Sequence, residues 1–395
     1  MTASNKLTLG APVNIVNTGS SHDDASSPLD GIALCLSGGG YRAMLFHLGA
    51  LWRLNELTYL GKLSRVSSVS GGSITAGVLG LNWNKLAFDA SGTAMGFDAN
   101  VVQPIRALAG KTIDEPAILE GIFLPGSIAD KVVGEYRKHL FGNATLQDLP
   151  PDPPRFVINS TSVQSGALFR FSRPFVADYR VGMIPNPTIE LAVAVAASSA
   201  FPPLLSPLKV TLNPAWWAAP SNRKSEDLHK PPYLSQAVLS DGGVYDNLGL
   251  ETAWKKYKTI LVSNGGGKMQ PDEDPAGNWV SHSIRINEII DNQVRSLRVR
   301  ELINGFDAQP PLRAGTYWGI RTDIANYQLP NSLPCPVNKT VALAETPTRL
   351  KELDATQQER LINWGYAVCD AAMRRHVVGG AAPPPGFPYP KAGVG

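Results

Sequence analysis

The sequence predicts an α/β protein, a doubly wound and mostly parallel sheet flanked by helices, with extra helices towards the C-terminal end. Three observations carry this. Compact apolar runs such as Ile32-Ala33-Leu34-Cys35-Leu36 have the length and composition of buried strands. Stretches with the period of a helix follow them. Glycine-rich turns join strand to helix at three places, "SGGGYRA", "SVSGGS" and "LSDGG". With 43% hydrophobic and 17% charged residues the chain is globular, which removes the disordered class.

Along the chain, residues 1–28 are rich in Ser, Thr, Asn and Asp and are expected to form a flexible tail. The run 32–36 is the first strand. After its glycines Met44, Leu45, Leu48, Leu51 and Trp52 recur at the spacing of a helix face. Val66 to Val69 reads as a short strand and "SITAGVLGLNW" as the helix after it. "RFVINSTSV" and "ALFRFSRPF" are β-rich and expected to pair. "ELAVAVAASSA" reads as a helix stopped by Phe201-Pro202-Pro203, because proline lacks the backbone donor a helix needs. "AVLSDGG" and "TILVSNGGG" read as strands ending in glycine turns. One further helix holds Ile286, Ile290, Val294 and Leu297, and another Leu361, Trp364, Val368 and Ala371. Both are expected to pack on the sheet, with "GTYWGIRT" as a strand between them. Residues 29–380 are thus expected as one domain, and the Pro/Gly-dominated residues 381–395 as an extended, mobile tail.

Charge narrows the function classes. A net charge of +3 without a basic stripe argues against nucleic acid as a partner. No run approaches the roughly 18 apolar residues of a membrane span. The start of the chain lacks the basic and apolar regions of a secretory signal, so a cytoplasmic location is expected, with signal-independent export still compatible. Cys35, Cys335 and Cys369 are far apart and odd in number, which fits reduced thiols better than disulfides or a zinc site.

The three glycine turns carry the chemistry. In Ser37-Gly38-Gly39-Gly40-Tyr41-Arg42-Ala43 the backbone N–H groups face out at a helix start, where the dipole favours negative charge. Gly38, Gly40 and Ala43 have dinucleotide-site spacing, yet the same donors serve as an oxyanion hole. The dinucleotide reading wants an acidic residue at the end of the next strand, and Glu56 lies in helical sequence. Val69-Ser70-Gly71-Gly72 runs from strand to helix, the setting of a nucleophile elbow, although Ser68 stands where the G-x-S-x-G pattern has glycine. Asp241 in Leu239-Ser240-Asp241-Gly242-Gly243 ends a strand, where α/β sheets build ligand sites, although Asp-Gly is also an ordinary turn pair. A serine needs a proton acceptor to attack an ester. None of His22, His47, His139, His229, His282 and His376 follows a strand end, so the sequence favours a Ser70–Asp241 dyad. No metal or other cofactor is expected, since backbone dipoles supply the polarisation.

"LSGGGYRAM", "SSVSGGS" and "LSDGGVYDNLG" resemble, in order, the three motif blocks of patatin-like phospholipases. "AASSAFPPLLSP" resembles their block between nucleophile and aspartate, and the likeness spans roughly Gly31 to Gly267. "GGGYRAM" is also similar to the glycine-rich motif of cytosolic phospholipase A2 enzymes, which share the dyad. The resemblance implies that family's α/β sandwich, with Ser70 as nucleophile, Asp241 as its direct base, and amides of Gly39 and Gly40 as oxyanion donors, with Gly71 a third candidate. Arg42 matches an arginine that faces substrate phosphate in the phospholipase A2 relatives; a structural ion pair is the other reading. The departure at Ser68 bears on the shape of the elbow.

The implied substrate is a phospholipid or other acyl-ester lipid, met at a membrane surface in transient contact. Trp216 and Trp217 between prolines, and the weaker "GIFLPG" at 121–126, are candidates for that contact, against burial under a loop. An acyltransferase or small-ester esterase on the same dyad, a dinucleotide enzyme and a non-catalytic binding protein are the competing readings. Protein partners are not specified by the sequence.

Overall fold

The computed structural model describes residues 28–114, 128–220 and 225–395. The segment at 121–126 and most of the N-terminal tail lie outside the described residues. In order the elements are β1 (Leu29–Leu36), α1 (Gly40–Glu56), β2 (Leu63–Val69), α2 (Gly71–Leu81), a small hairpin β3 (Ala87–Phe88) and β4 (Ala94–Met95), α3 (Gln103–Ala109) and α4 (Ile128–Tyr136). Then come β5 (Arg155–Ser162), β6 (Leu168–Phe171), β7 (Phe175–Asp178), β8 (Gly182–Pro185), α5 (Leu191–Ser198), β9 (Leu208–Thr211) and β10 (Gln236–Asp241). The short helices α6 (Gly243–Asp246) and α7 (Glu251–Trp254) lead to β11 (Tyr257–Asn264), α8 (Trp279–Asp307), β12 (Ala314–Gly319), α9 (Val337–Ala344) and α10 (Ala355–His376).

The five strands β12-β11-β1-β2-β5 are parallel, as the strand–turn–helix sequence requires. Beyond β5 the sheet turns antiparallel: β6, β7 and β8 form a meander, and β10 with β9 joins β5 from the other direction. The pairing of "RFVINSTSV" with "ALFRFSRPF" is the β5–β6 hairpin.

Alternation along β1 sorts the core into two layers. Leu34 and Leu36 point into a large cluster with Met44, Leu45, Leu48 and Leu51 of α1 and Trp364 and Val368 of α10. Ala33 and Cys35 point the other way, into a smaller cluster with Leu248, Leu250, Ala253, Ile260, Val262 and Leu302. Helices therefore cover both faces, unequally.

Two expectations are corrected. The helix with Ile286, Ile290, Val294 and Leu297 does not pack those residues on the sheet: α8 buries only Leu302 and Gly305, near its end, and leaves all four exposed together with Trp279 at 80%. An apolar stripe buries a helix only where a partner surface meets it. Residues 381–395 are docked, not free: Val394 is buried, Tyr389 meets Trp52 edge-on, and Asn363 Nδ2 donates to the carbonyls of Tyr389 and Gly393. Asn363 satisfies carbonyls that have no secondary structure to serve them, which holds a Pro/Gly-rich stretch in place.

Candidate active site

Ser70 and Asp241 come together because β2 and β10 share one edge of β5. On β5, Asn159 pairs with Val69 and the next residue, Ser160, pairs with Asp241. β6 occupies the opposite edge over the same residues, so β2 and β10 end head to head on the near one. Ser70, one step past β2, arrives beside Asp241, the last residue of β10.

Ser70 has φ 52° and ψ −120°, a left-handed conformation that an L-residue holds only when its surroundings impose it. Gly71 cannot be anything larger, since a Cβ there would lie 2.2 Å from the Gly40 carbonyl oxygen. The hydroxyls around the elbow divide the work. Ser73 Oγ bonds Ser68 Oγ and Ser198 Oγ, each at 2.9 Å. Ser67 Oγ donates to the Gly249 carbonyl at 2.6 Å. Thr75 Oγ1 donates to the Met44 carbonyl at 3.0 Å. Ser68 is thus a small residue whose hydroxyl is used beneath the turn, which accounts for its replacing glycine.

Asp241 is 3% exposed and Ser70 7%. Burial pushes the Asp241 carboxyl up from 3.8 to about 7; the Gly243 amide and the Ser70 hydroxyl pull it back, and the charge of Asp291 adds to the rise. Oδ1 accepts from Gly243 N–H at 2.7 Å. Oδ2 is buried and lacks a hydrogen bond of full geometry, although the Ser70 hydroxyl acts on the carboxyl as a hydrogen-bonding neighbour. The two side chains are thus in electrostatic reach without a closed hydrogen bond.

The first glycine turn lies over this pair. A Cβ on Gly38 would come within 3.2 Å of Ser70 Cβ, and Gly39 and Gly40 have φ of 143° and 60°. Gly38 N–H is taken by the Asn247 carbonyl, and Gly72 N–H by that of Ser37. The amides of Gly39, Gly40 and Gly71 make no hydrogen bond among the described residues, which leaves three donors at adjacent helix starts.

Arg42, the candidate for contact with substrate phosphate, is buried and engaged within the chain. It is 3% exposed; Nε donates to the Gly265 carbonyl at 3.1 Å, Nη1 to the Thr346 carbonyl, and Nη2 to Thr348 Oγ1 at 2.9 Å. Burial, with Arg321 and Arg295 nearby, lowers its pKa to about 10. The side chain ties the glycine turn to the segment before α10, and its partners are carbonyls and a hydroxyl where the sequence reading considered an ion pair. His47, fully buried, lies between Ser37 O and Ser263 Oγ and is pushed down to about 4, hence neutral. It props the turn from below. Glu56 bonds Arg53 and Tyr366 at the far end of α1, away from any strand end. Trp216 is exposed, whereas Trp217 is buried and donates Nε1–H to the Leu234 carbonyl at 2.9 Å.

Sequence reasoning missed three residues. Ser198 Oγ accepts from Ser70 N–H at 2.9 Å and donates to the Asn159 carbonyl at 2.6 Å. Asn159 Nδ2 donates to Ser67 Oγ and to the Ser68 carbonyl. Asn247 Oδ1 lies against both Gly38 and Gly243. The only signal was their place inside the quoted motif stretches.

A sequence model described as patatin-like phospholipase matches residues 34–254. Among solved structures the chain is similar to human GIVD cytosolic phospholipase A2, at 13% identity and a TM-score of 0.48, with 88% of this chain and 59% of that one covered. The same human enzyme in complex with methyl gamma-linolenyl fluorophosphonate gives 15% identity and a TM-score of 0.49, over 88% and 57%. VipD from Legionella pneumophila gives 16% and 0.33, over 86% and 66%. The chain thus spans about three fifths of the length of the human enzyme. No curated protein matches significantly. The sequence match runs over more than half of the chain, from β1 through α7, and on that ground the protein belongs to the patatin-like phospholipase family.

Proposed function

We propose that the protein is a lipid acyl hydrolase, a phospholipase A-type esterase in which Ser70 is the nucleophile and Asp241 its base. One observation carries this reading: an elbow serine in a strained conformation beside a buried carboxylate whose pKa is about 7, reached from two strands that end on the same edge of β5. A base poised near neutral pH is half deprotonated where it must work.

Ser70 Oγ bonds to the acyl carbonyl carbon as its proton passes to Asp241. The carbonyl π pair moves onto oxygen, facing the amides of Gly39, Gly40 and Gly71, each worth about 2.7–4 kcal/mol if well aimed. The C–O bond of the ester then breaks, and the departing alkoxide takes the proton from Asp241. Water attacks the acyl-enzyme, gives its proton to Asp241, and the proton returns to Ser70 Oγ as the fatty acid leaves. Arg42 holds the glycine turn in this scheme and does not touch the substrate.

Among the described residues no helix is long and apolar enough to cross a membrane. A cytoplasmic protein meeting lipid surfaces transiently, with exposed Trp216 at the contact, goes with this reading. The test is incubation with mixed phospholipids and mass spectrometry of the products. Ser70→Ala should lower fatty-acid release by at least about 10³-fold and abolish fluorophosphonate labelling, while melting cooperatively. Labelling that persists in Ser70→Ala would assign the chemistry to another serine. An added alcohol acceptor separates hydrolysis from acyl transfer.

A further inference from the structure

The dyad comes from two strands far apart in the chain, and one residue touches both sides of it. The Ser198 hydroxyl accepts the Ser70 N–H at 2.9 Å, and the Ser198 carbonyl accepts the Gly242 N–H at 3.1 Å, directly after Asp241. The same hydroxyl donates to the Asn159 carbonyl at 2.6 Å, on the β5 residue that ends the pairing with β2. Two residues on, the Ala200 carbonyl accepts the Asp241 N–H at 2.9 Å. Ser198 is fully buried at the end of α5, stopped there by Phe201-Pro202-Pro203, so it has little freedom to swing away.

Resting on the reading of Ser70 and Asp241 as the catalytic pair, we propose that Ser198 is a positioning residue that braces nucleophile to base: its side chain fixes the elbow and its backbone fixes the turn carrying the aspartate. Two consequences follow from the hydrogen bonds. The strained elbow keeps its shape because the Ser70 amide has a fixed acceptor on the side away from the substrate. That amide is also withdrawn from the oxyanion hole, leaving Gly71 as the elbow's donor. The brace does not touch the reacting atoms, so its loss misdirects Ser70 Oγ without changing how substrate is held.

The experiment compares the full chain with Ser198→Ala and with Ser199→Ala. Ser199 is the adjacent buried serine; its hydroxyl serves Val195 O and Tyr136 and not the elbow. Ester hydrolysis and hydrogen exchange of the 65–77 peptide are both measured. Ser198→Ala should lower kcat on the order of 10- to 100-fold with KM within about twofold, the scale of a small misplacement of a reacting group. Exchange at the elbow should rise in Ser198→Ala alone, with similar melting temperatures in the two variants. The brace is overturned if kcat stays within about twofold of the parent, if Ser199→Ala loses as much, or if elbow exchange is unchanged. Should Ser198→Ala not fold, Ser198→Cys, of similar volume and poorer as an acceptor, takes its place in the comparison. A parent chain that neither hydrolyses esters nor labels at Ser70 would refute the proposed function, and exchange alone would then decide the brace.

Discussion

The C-terminal third contributes two long helices with the same kind of apolar stripe and opposite fates. α10 buries Leu361, Trp364, Val368 and Ala371, whereas α8 exposes Ile286, Ile290, Val294 and Leu297. The difference lies in small residues opposite a partner. A Cβ on Gly365 of α10 would lie 1.9 Å from the Phe46 carbonyl oxygen, and one on Gly49 of α1 would lie 1.9 Å from that of Ile362. Each glycine lets the other helix approach to backbone contact. On α8 the one comparable place is Gly305 against Trp254, at 2.4 Å, and that is where α8 becomes buried. A stripe offers burial; a fitted partner completes it.

Four substitutions would break or sharpen this contrast. Gly365→Val meets a backbone oxygen that cannot yield without moving a helix, and is expected to leave no cooperative melting transition. Retention of a normal transition would show that the crossing is looser than described. Trp364→Ala, at a fully buried position whose Nε1–H is given to the Ile320 carbonyl, should cost about 3–5 kcal/mol in urea denaturation.

The next effect is on the reaction and not on stability, because α8 reaches the site through charge. With Asp241 as base, kcat/KM should rise as pH passes through about 7, where its carboxyl loses the proton. Asp291 on α8 raises that pKa, so Asp291→Asn should move the acidic limb to lower pH; an unmoved limb would remove α8 from the electrostatics of the site. Smallest of all, Ile290→Ser should change stability by no more than about 0.5 kcal/mol, and a loss of several times that would mean the face is covered in solution.

The strands and the turns that form the candidate site were legible in the sequence for a physical reason. Buried parallel strands read as apolar runs, and turns that must approach a ligand or another backbone demand glycine, so β1 and β11 and the turns holding Gly39, Gly40, Ser70, Gly71 and Asp241 stand out. What was not legible depends on contacts between distant segments. Nothing local marks Ser198 as the partner of Ser70 N–H, or Thr346 and Thr348 as acceptors for Arg42. The docking of residues 381–395 is hidden the same way, because Asn363 and Trp52 hold it from far along the chain. The exposure of α8 was misread because a helical period reports a face and is silent about its neighbour.

The shared edge of β5 has a bearing on how this chain can diverge. The separation of residues 70 and 241 is counted from two consecutive rungs, Asn159 and Ser160, with the end of α5 as the one part of a connection that also holds it. Residues 82–154 run from α2 to β5 and residues 212–235 from β9 to β10, and either stretch can lengthen, shorten or acquire a new module while the rungs and the end of α5 stay put. A single-residue slip of β10 along β5, by contrast, would turn residue 241 to the opposite face of the sheet. Insertions in those stretches thus leave the meeting of Ser70 and Asp241 intact, and a shift of one position in that short ladder ends it.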